Sequence, residues 1–377
     1  MTRIYLDHAA TTPLSATVLR KMTPYFTEVF GNADSPHAVG RKAIGAVDTA
    51  RDTVAALLHA KPNEIYFTSG GTEADNWAVI GGAYAQKRKG KTQVIVSAME
   101  HHAVLYAAEK LRNEGFEVTY LPVNAEGMVE LNILKGALTE RTGLVAIMYA
   151  NNETGVIQPI EALAKATHEA GALFFTDAVQ AAPYMQLDVK ALGVDMLSLS
   201  AHKFYGPKGC GVLYIKSGVK IEKFVGGGEQ ERGLRGGTTN VPAVVGLAAA
   251  LEENTATMYE MNEKIARLRT LFLEEISELD GVSVNGKGER VPSVLNLHVN
   301  GVQNVDLLYN LDLKGVYIAV GAACASGSIE PSHVLLAMGL TETEAKQSVR
   351  ISFGKENTEE EVLTAARLFK ETVKKLR

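Results

Sequence analysis

An α/β fold with a mainly parallel central sheet is what this chain predicts, and three observations carry that expectation. From about residue 41 to residue 215, short apolar runs alternate with amphipathic stretches of helical period. The runs are rich in Val, Ile and Leu and mostly lack polar alternation, which is how strands buried on both faces read. The chain has 377 residues, 46% hydrophobic and 21% charged, which is ordinary globular usage and enough length for two domains.

In order, the runs are EIYFT (64–68), QVIVSAM (93–99), FEVTYLPV (116–123), GLVAIMYA (143–150), ALFFTDA (172–178), MLSLS (196–200) and GVLYI (211–215). Helical patterns separate them, among them ADNWAVIGGAYAQKR (74–88) and PIEALAKATHEAG (159–171), the latter closed by Gly171 as a C-cap. Residues 252–279 read as one long helix. The rhythm then changes to PSVLNLHV (292–299), VDLLYNLDLKG (305–315), VYIAVG (316–321) and SVRISFG (348–354). An amphipathic helix over 358–377 ends the chain, its acidic first turn and basic last turn suited to the helix dipole. The pattern predicts a large α/β domain over 16–257 and a smaller α+β domain built from 1–15 and 258–377.

Charge and cysteine content narrow the function. Lys and Arg total 38 against 43 Asp and Glu, a net charge of −5, so no basic field is available to hold nucleic acid directly. No apolar run approaches the roughly 20 residues that span a bilayer, and the first residues lack a secretory pattern. The two cysteines, Cys210 and Cys324, suit a reducing compartment. The expectation is a cytoplasmic protein with no membrane contact.

In open parallel sheets, ligands sit beyond the carboxyl ends of the strands. Five junctions there carry unusual residues. TSGGTEADN (68–76) places two glycines between a strand and a helix, which is either a plain turn or a cradle for a lone phosphate. MEHHAVL (99–105) sets His101 and His102 at a strand end, with no further ligands at zinc-like spacing. YANNETGV (149–156) offers two amides or simply a turn. In FFTDAVQ (174–180), Asp177 ends an apolar strand, where a carboxylate caps a helix or answers a positive partner. In SLSAHKFYGPKG (198–209), Lys203 directly follows a buried strand; it is either a surface lysine or an amine whose proton affinity apolar surroundings lower for Schiff-base chemistry. Together these match the needs of pyridoxal 5′-phosphate (PLP), which requires a lysine, an acid at its ring nitrogen and a phosphate site.

At this point the sequence resembles the fold-type I PLP enzymes, which are aspartate aminotransferase-like, and among them the cysteine desulfurases of the NifS/IscS-like group. The resemblance runs through YLDHAATTP (5–13), FGN (30–32), TSGGTEADN, EHHAVL (100–105), NNETG (151–155), TDAVQ (176–180), SAHKFYGPKG (200–209), GGGEQERGLRGGT (226–238), AACASGS (322–328), EPSHVL (330–335) and VRISFG (349–354). It implies that Lys203 carries the cofactor, that Asp177 binds the pyridine nitrogen, and that Gln180 hydrogen-bonds the ring oxygen. His101 would stack on the ring and shuttle protons, while Gly71, Thr72, Ser200 and His202 would hold the phosphate. Thr238 would reach that phosphate from a neighbouring subunit, implying a homodimer. Asn152 and Arg350 would orient L-cysteine, with the Arg350 fork on its carboxylate. Cys324 would attack the substrate sulfur and keep it as a persulfide, releasing alanine, and then pass it to an iron–sulfur scaffold or a tRNA-thiolation protein. Its flanks lack core bulk, which favours a reactive thiol, whereas Cys210 opens a strand and reads as structural.

Overall fold

Strands that must hide both faces need apolar side chains at successive positions, and each of the seven runs between residues 64 and 215 becomes a strand of one sheet. The computed structural model describes residues 3–321 and 330–377. Its strands are β1 (Ile4–Tyr5), β2 (Ile65–Thr68), β3 (Gln93–Ser97), β4 (Glu117–Leu121), β5 (Thr142–Ala146), β6 (Leu173–Asp177), β7 (Met196–Ser200), β8 (Gly211–Ile215), β9 (Val282–Val284), β10 (Val294–Val299), β11 (Val316–Tyr317) and β12 (Ser348–Ser352).

The large sheet has the order β2-β8-β7-β6-β5-β3-β4. Neighbours are parallel except at β8, which is antiparallel to both β2 and β7. Successive residues of one strand face opposite ways, and here both ways lead into core. Ile95, Val145, Phe174, Leu197 and Val212 join one apolar cluster, packed beneath the helices Ala38–Leu57, Ile160–Glu169 and Val241–Glu275. Val94, Val96, Leu144, Phe175, Met196 and Leu213 join a second, under the helical stretch 71–87 and the helix His102–Asn113. Fully buried Trp77 anchors that second layer, its indole N–H donating to Glu222 O at 2.9 Å. β4 departs from the expectation of two buried faces. It lies at the sheet edge with Glu117 and Tyr120 exposed, as an edge strand permits.

Two further expectations need correction. The long helix begins at Val241 rather than 252 and ends at Glu275. Asn240 caps its start by accepting the Ala243 N–H, and Pro242 sits in the first turn, where a missing N–H is harmless. In VYIAVG only Val316 and Tyr317 are strand, pairing in parallel with Ile4 and Tyr5. β10 runs between antiparallel β12 and β9, and the helix Glu359–Leu376 starts with a capping box between Thr358 and Glu361. An isolated bridge between Asp7 and Ser352, with Ala9 N–H on Ser352 Oγ at 2.9 Å, ties the N-terminal segment to β12. Among the described residues, no helix is long and apolar enough to cross a membrane.

One contact fixes the start of β8 against the turn after β2. A Cβ on Gly211 would lie 2.6 Å from the Gly70 carbonyl carbon and 2.7 Å from Leu199 O. Gly211→Ala should therefore lower folding stability by about 1–3 kcal/mol, as overpacking does, read by urea denaturation. An unchanged midpoint would mean the sheet yields there without cost.

Candidate functional site

The carboxyl ends of β2, β3, β5, β6 and β7 all open on the same edge of the sheet, and the residues beyond them line one cavity of about 490 Å³. Ser69, Gly70, Gly71 and Thr72 come from the first junction, His101 from the second, Asn152 from the third, Asp177 and Gln180 from the fourth, and Ser200, His202 and Lys203 from the fifth. Arg350 enters from β12, and Ala9, Ala10 and Thr11 from the N-terminal segment.

Lys203 Nζ donates to Ala9 O at 2.5 Å and Ala10 O at 2.9 Å. Gln180 Nε2 donates to the same Ala9 carbonyl at 2.8 Å. The turn carrying Lys203 is held by Thr12, which meets His202 O through its N–H at 3.0 Å and its hydroxyl at 2.9 Å. Tyr205, two residues on, takes a left-handed φ of 63°, a conformation an aromatic residue adopts only under constraint.

Asp177 is buried and accepts the Val179 N–H at 2.8 Å. It closes a local turn and faces the cavity; no helix follows it, so the capping reading open from sequence gives way to a turn. Burial pushes its carboxyl up to about 6, against the Val179 N–H and the Lys203 charge, which pull it down. His101 caps the helix His102–Asn113, its Nδ1 accepting the Ala103 N–H at 3.1 Å. Nε2 therefore carries the proton of the neutral ring. Burial first, then the charge of Lys203 and the neighbouring His102 and His333, lower His101 to about 4. His202, with Nδ1 3.1 Å from Thr11 Oγ1, is likewise lowered to about 4 by burial, Lys203 and Lys208.

The two amides of NNETG divide their work. Asn151 is fully buried and builds the turn, accepting the Glu153 and Thr154 N–H groups at 2.9 Å each, while Asn152 faces the cavity. Arg350 is 1% exposed; its guanidinium donates to Asp7 Oδ1 at 2.7 Å and to Asn152 O at 2.9 Å. Its Nε is buried without a partner among the described residues.

Thr238 does not line this cavity; it is exposed just before the helix Val241–Glu275. Cys324 lies outside the described residues. Cys210 is buried, and burial pushes its thiol up to about 12, which suits a structural role. Sequence reasoning gave no role to Ala9 and Ala10, which act through main-chain carbonyls, or to Asp7. Asp75, in TSGGTEADN, is a further such residue, although a carboxyl one turn into a buried helix is a signal. Asp75 is 1% exposed, lines the cavity and lies 2.5 Å from Ser198 Oγ.

The histidine geometry makes a pH prediction. Below its ordinary midpoint, His101 protonates more readily in the unfolded chain, so its stabilising contribution is complete above about pH 6.5 and falls away toward pH 4. The His101 ring signal, assigned by loss in His101→Gln, should titrate near 4 in NMR of the cofactor-free chain; a midpoint near 6.5 would contradict its burial beside Lys203.

Comparison with known proteins agrees with this architecture. The sequence profile of the family described as Aminotransferase class-V matches residues 4–364. A protein named cysteine desulfurase IscS from Clostridium botulinum is 47% identical over 364 residues, covering 96% of this chain and 91% of that protein. A solved NifS-like protein superposes with a TM-score of 0.92 at 36% identity, covering 98% of this chain and 99% of that one. A structure titled SspA in complex with cysteine gives a TM-score of 0.84 at 35% identity, covering 94% and 100%. The chain belongs to the aminotransferase class-V family, whose members work with pyridoxal 5′-phosphate.

Proposed function

We propose that this protein is a cysteine desulfurase that takes sulfur from L-cysteine, releases L-alanine and holds the sulfur as a persulfide on Cys324. The observation that carries the reading is the single cavity in which Lys203, buried Asp177, His101 and Arg350 converge, in a chain so similar to proteins of that name.

The donor set fits PLP. A Cβ on Gly71 would lie 2.9 Å from Val179 Cγ2 and 3.4 Å from Ser200 Cβ, so only a glycine leaves this cradle open at the start of a helix. Gly71 and Thr72 would hold the phosphate through helix-start N–H groups, with Ser200 and His202 beside them. Asp177 would face the pyridine nitrogen, Gln180 the ring oxygen, and His101 the face of the ring. Bound there, the cofactor supplies an electron sink for the bond changes at the substrate carbons.

The chain's own residues do the rest. Lys203 would hold the cofactor at rest and, once freed by the substrate amine, take the proton from the substrate Cα. Arg350 would grip the carboxylate, with Asp7 and the Asn152 carbonyl fixing its fork. His101, neutral at pH 7 and with its proton on Nε2, can donate a hydrogen bond through that atom. The Cys324 thiolate would attack the substrate sulfur; a sulfur–sulfur bond forms, the Cβ–S bond breaks, and the electron pair with a proton completes the alanine methyl group.

A homodimer belongs to this reading, with Thr238 serving the partner's phosphate site, because Thr238 stands away from its own cavity. So do a cytoplasmic location and a protein acceptor for the sulfur, either an iron–sulfur scaffold or a tRNA-thiolation protein. The IscS name of the relatives favours the former.

Purified with PLP, the protein should be yellow and form alanine from L-cysteine. Cys324→Ala should keep the colour and lose alanine formation; undiminished turnover would remove Cys324 from the reading. Lys203→Ala should lose roughly 10²–10⁴-fold in rate, as when a positioned base is removed. Arg350→Lys should lower kcat/KM about 10–100-fold, mainly through KM, the scale of a charged hydrogen bond. Activity on selenocysteine alone would move the substrate to the selenium analogue.

A further inference from the structure

Behind the cavity lies a second acid for which the proposed reaction has no role. Asp75 sits in the first turns of the helical stretch 71–87, 1% exposed, and lines the cavity with Asp177. Asp177 and Ser198 are Cα partners across β6 and β7, so their side chains leave the sheet on one face. The Ser198 hydroxyl lies 2.5 Å from Asp75 Oδ1, and Asp177 is its neighbour on that face. One hydroxyl thus stands beside two buried carboxyls.

The two acids are not equally supported. Asp177 has the Val179 N–H at 2.8 Å and the field of Lys203. Asp75 has the serine hydroxyl, and faces Asp177 and the buried Glu100, both acids. The nearby Glu73 carboxylate is answered by Arg235 at 2.8 Å, and His101 across the cavity is neutral at pH 7. An ionised carboxylate supported by one neutral donor, with a second carboxyl beside it, is strongly disfavoured in such a place. A hydroxyl has one proton to give, so it serves both acids only by accepting from one and donating to the other.

We propose that Asp75 is a positioning residue that remains a neutral acid at pH 7, donating its proton to Ser198 Oγ so that Ser198 donates to Asp177 and the negative charge stays on Asp177. Burial and repulsion from Asp177 act in the same direction, raising Asp75 well above the usual carboxylate range. The functional value of this arrangement rests on the reading of Asp177 as the partner of the cofactor ring; the protonation of Asp75 does not.

The test therefore has separate arms. In the cofactor-free chain at pH 7, the infrared difference between wild type and Asp75→Asn should contain the carbonyl stretch of a protonated carboxyl, lost in the variant. Folding equilibria should diverge too. Asp75 ionises only on unfolding, so wild type loses stability relative to Asp75→Asn by about tenfold in the folding constant per pH unit above about pH 4. In the PLP-loaded enzyme, the pH midpoint of the visible band should be the same in Asp75→Asn as in wild type, since one neutral group replaces another, and should move in Ser198→Ala, which removes that hydroxyl. A missing carboxyl band, a stability difference flat between pH 5 and 8, an Asp75→Asn chain that fails to fold, or a shifted midpoint in that variant would each overturn the proposal. If Asp177→Asn bound PLP with an unaltered spectrum, the ring-partner reading would fail while the first two arms still decided the state of Asp75.

Discussion

A carboxyl sealed at the end of a doubly buried strand is the constraint around which this molecule is arranged. Asp177 leaves a sheet whose two faces are both covered, and charge in such a place needs an answer. The Val179 N–H and the Lys203 ammonium supply it. The same ammonium and the same burial keep His101 and His202 neutral. One acid and one amine thus set the protonation of the surrounding groups, and a cationic ring nitrogen placed against Asp177 would complete the charge balance.

Holding that amine in place requires distant parts of the chain. The carbonyls of Ala9 and Ala10 receive Lys203, and the bridge from Asp7 to Ser352 ties this stretch to the strand that carries Arg350. Asp7 then closes on Arg350 itself. The lysine and the arginine are 147 positions apart in sequence, but one short N-terminal segment touches both. A shift of that segment would move the amine and the guanidinium together, and on the proposed reading this would couple substrate grip to the position of the base.

Much of this was legible beforehand, and the reasons can be traced to particular residues. A strand with two buried faces has to be apolar at successive positions, so β3, β5, β6, β7 and β8 declare themselves. β4 carries a similar composition but lies at the edge, and strand order is not written in any single run. The start of the long helix is hard to see in sequence because VPAVVGLAAA lacks the polar side of an amphipathic pattern; it is buried nearly all round, and Asn240 rather than periodicity marks its beginning. Asn151 and Asn152 are equivalent as letters, and only the fold makes one a turn and the other a cavity wall. Asp75 does not stand out by itself, because an acid in a helix is ordinary until its burial is known.

What the amino-acid order determined by itself is the set of elements and the kinds of group at their ends, since burial period and turn chemistry are local properties. It thereby placed lysine, acid, histidine and glycines beyond the carboxyl ends of parallel strands. Which groups meet was decided only by the tertiary structure: Ala9 O on Lys203, Asp7 on Arg350, Ser198 on Asp75. The physical reason is that hydrogen bonds and buried charges act over a few ångströms between residues that the chain separates by dozens or hundreds of positions, so their energies exist only once the sheet has been assembled.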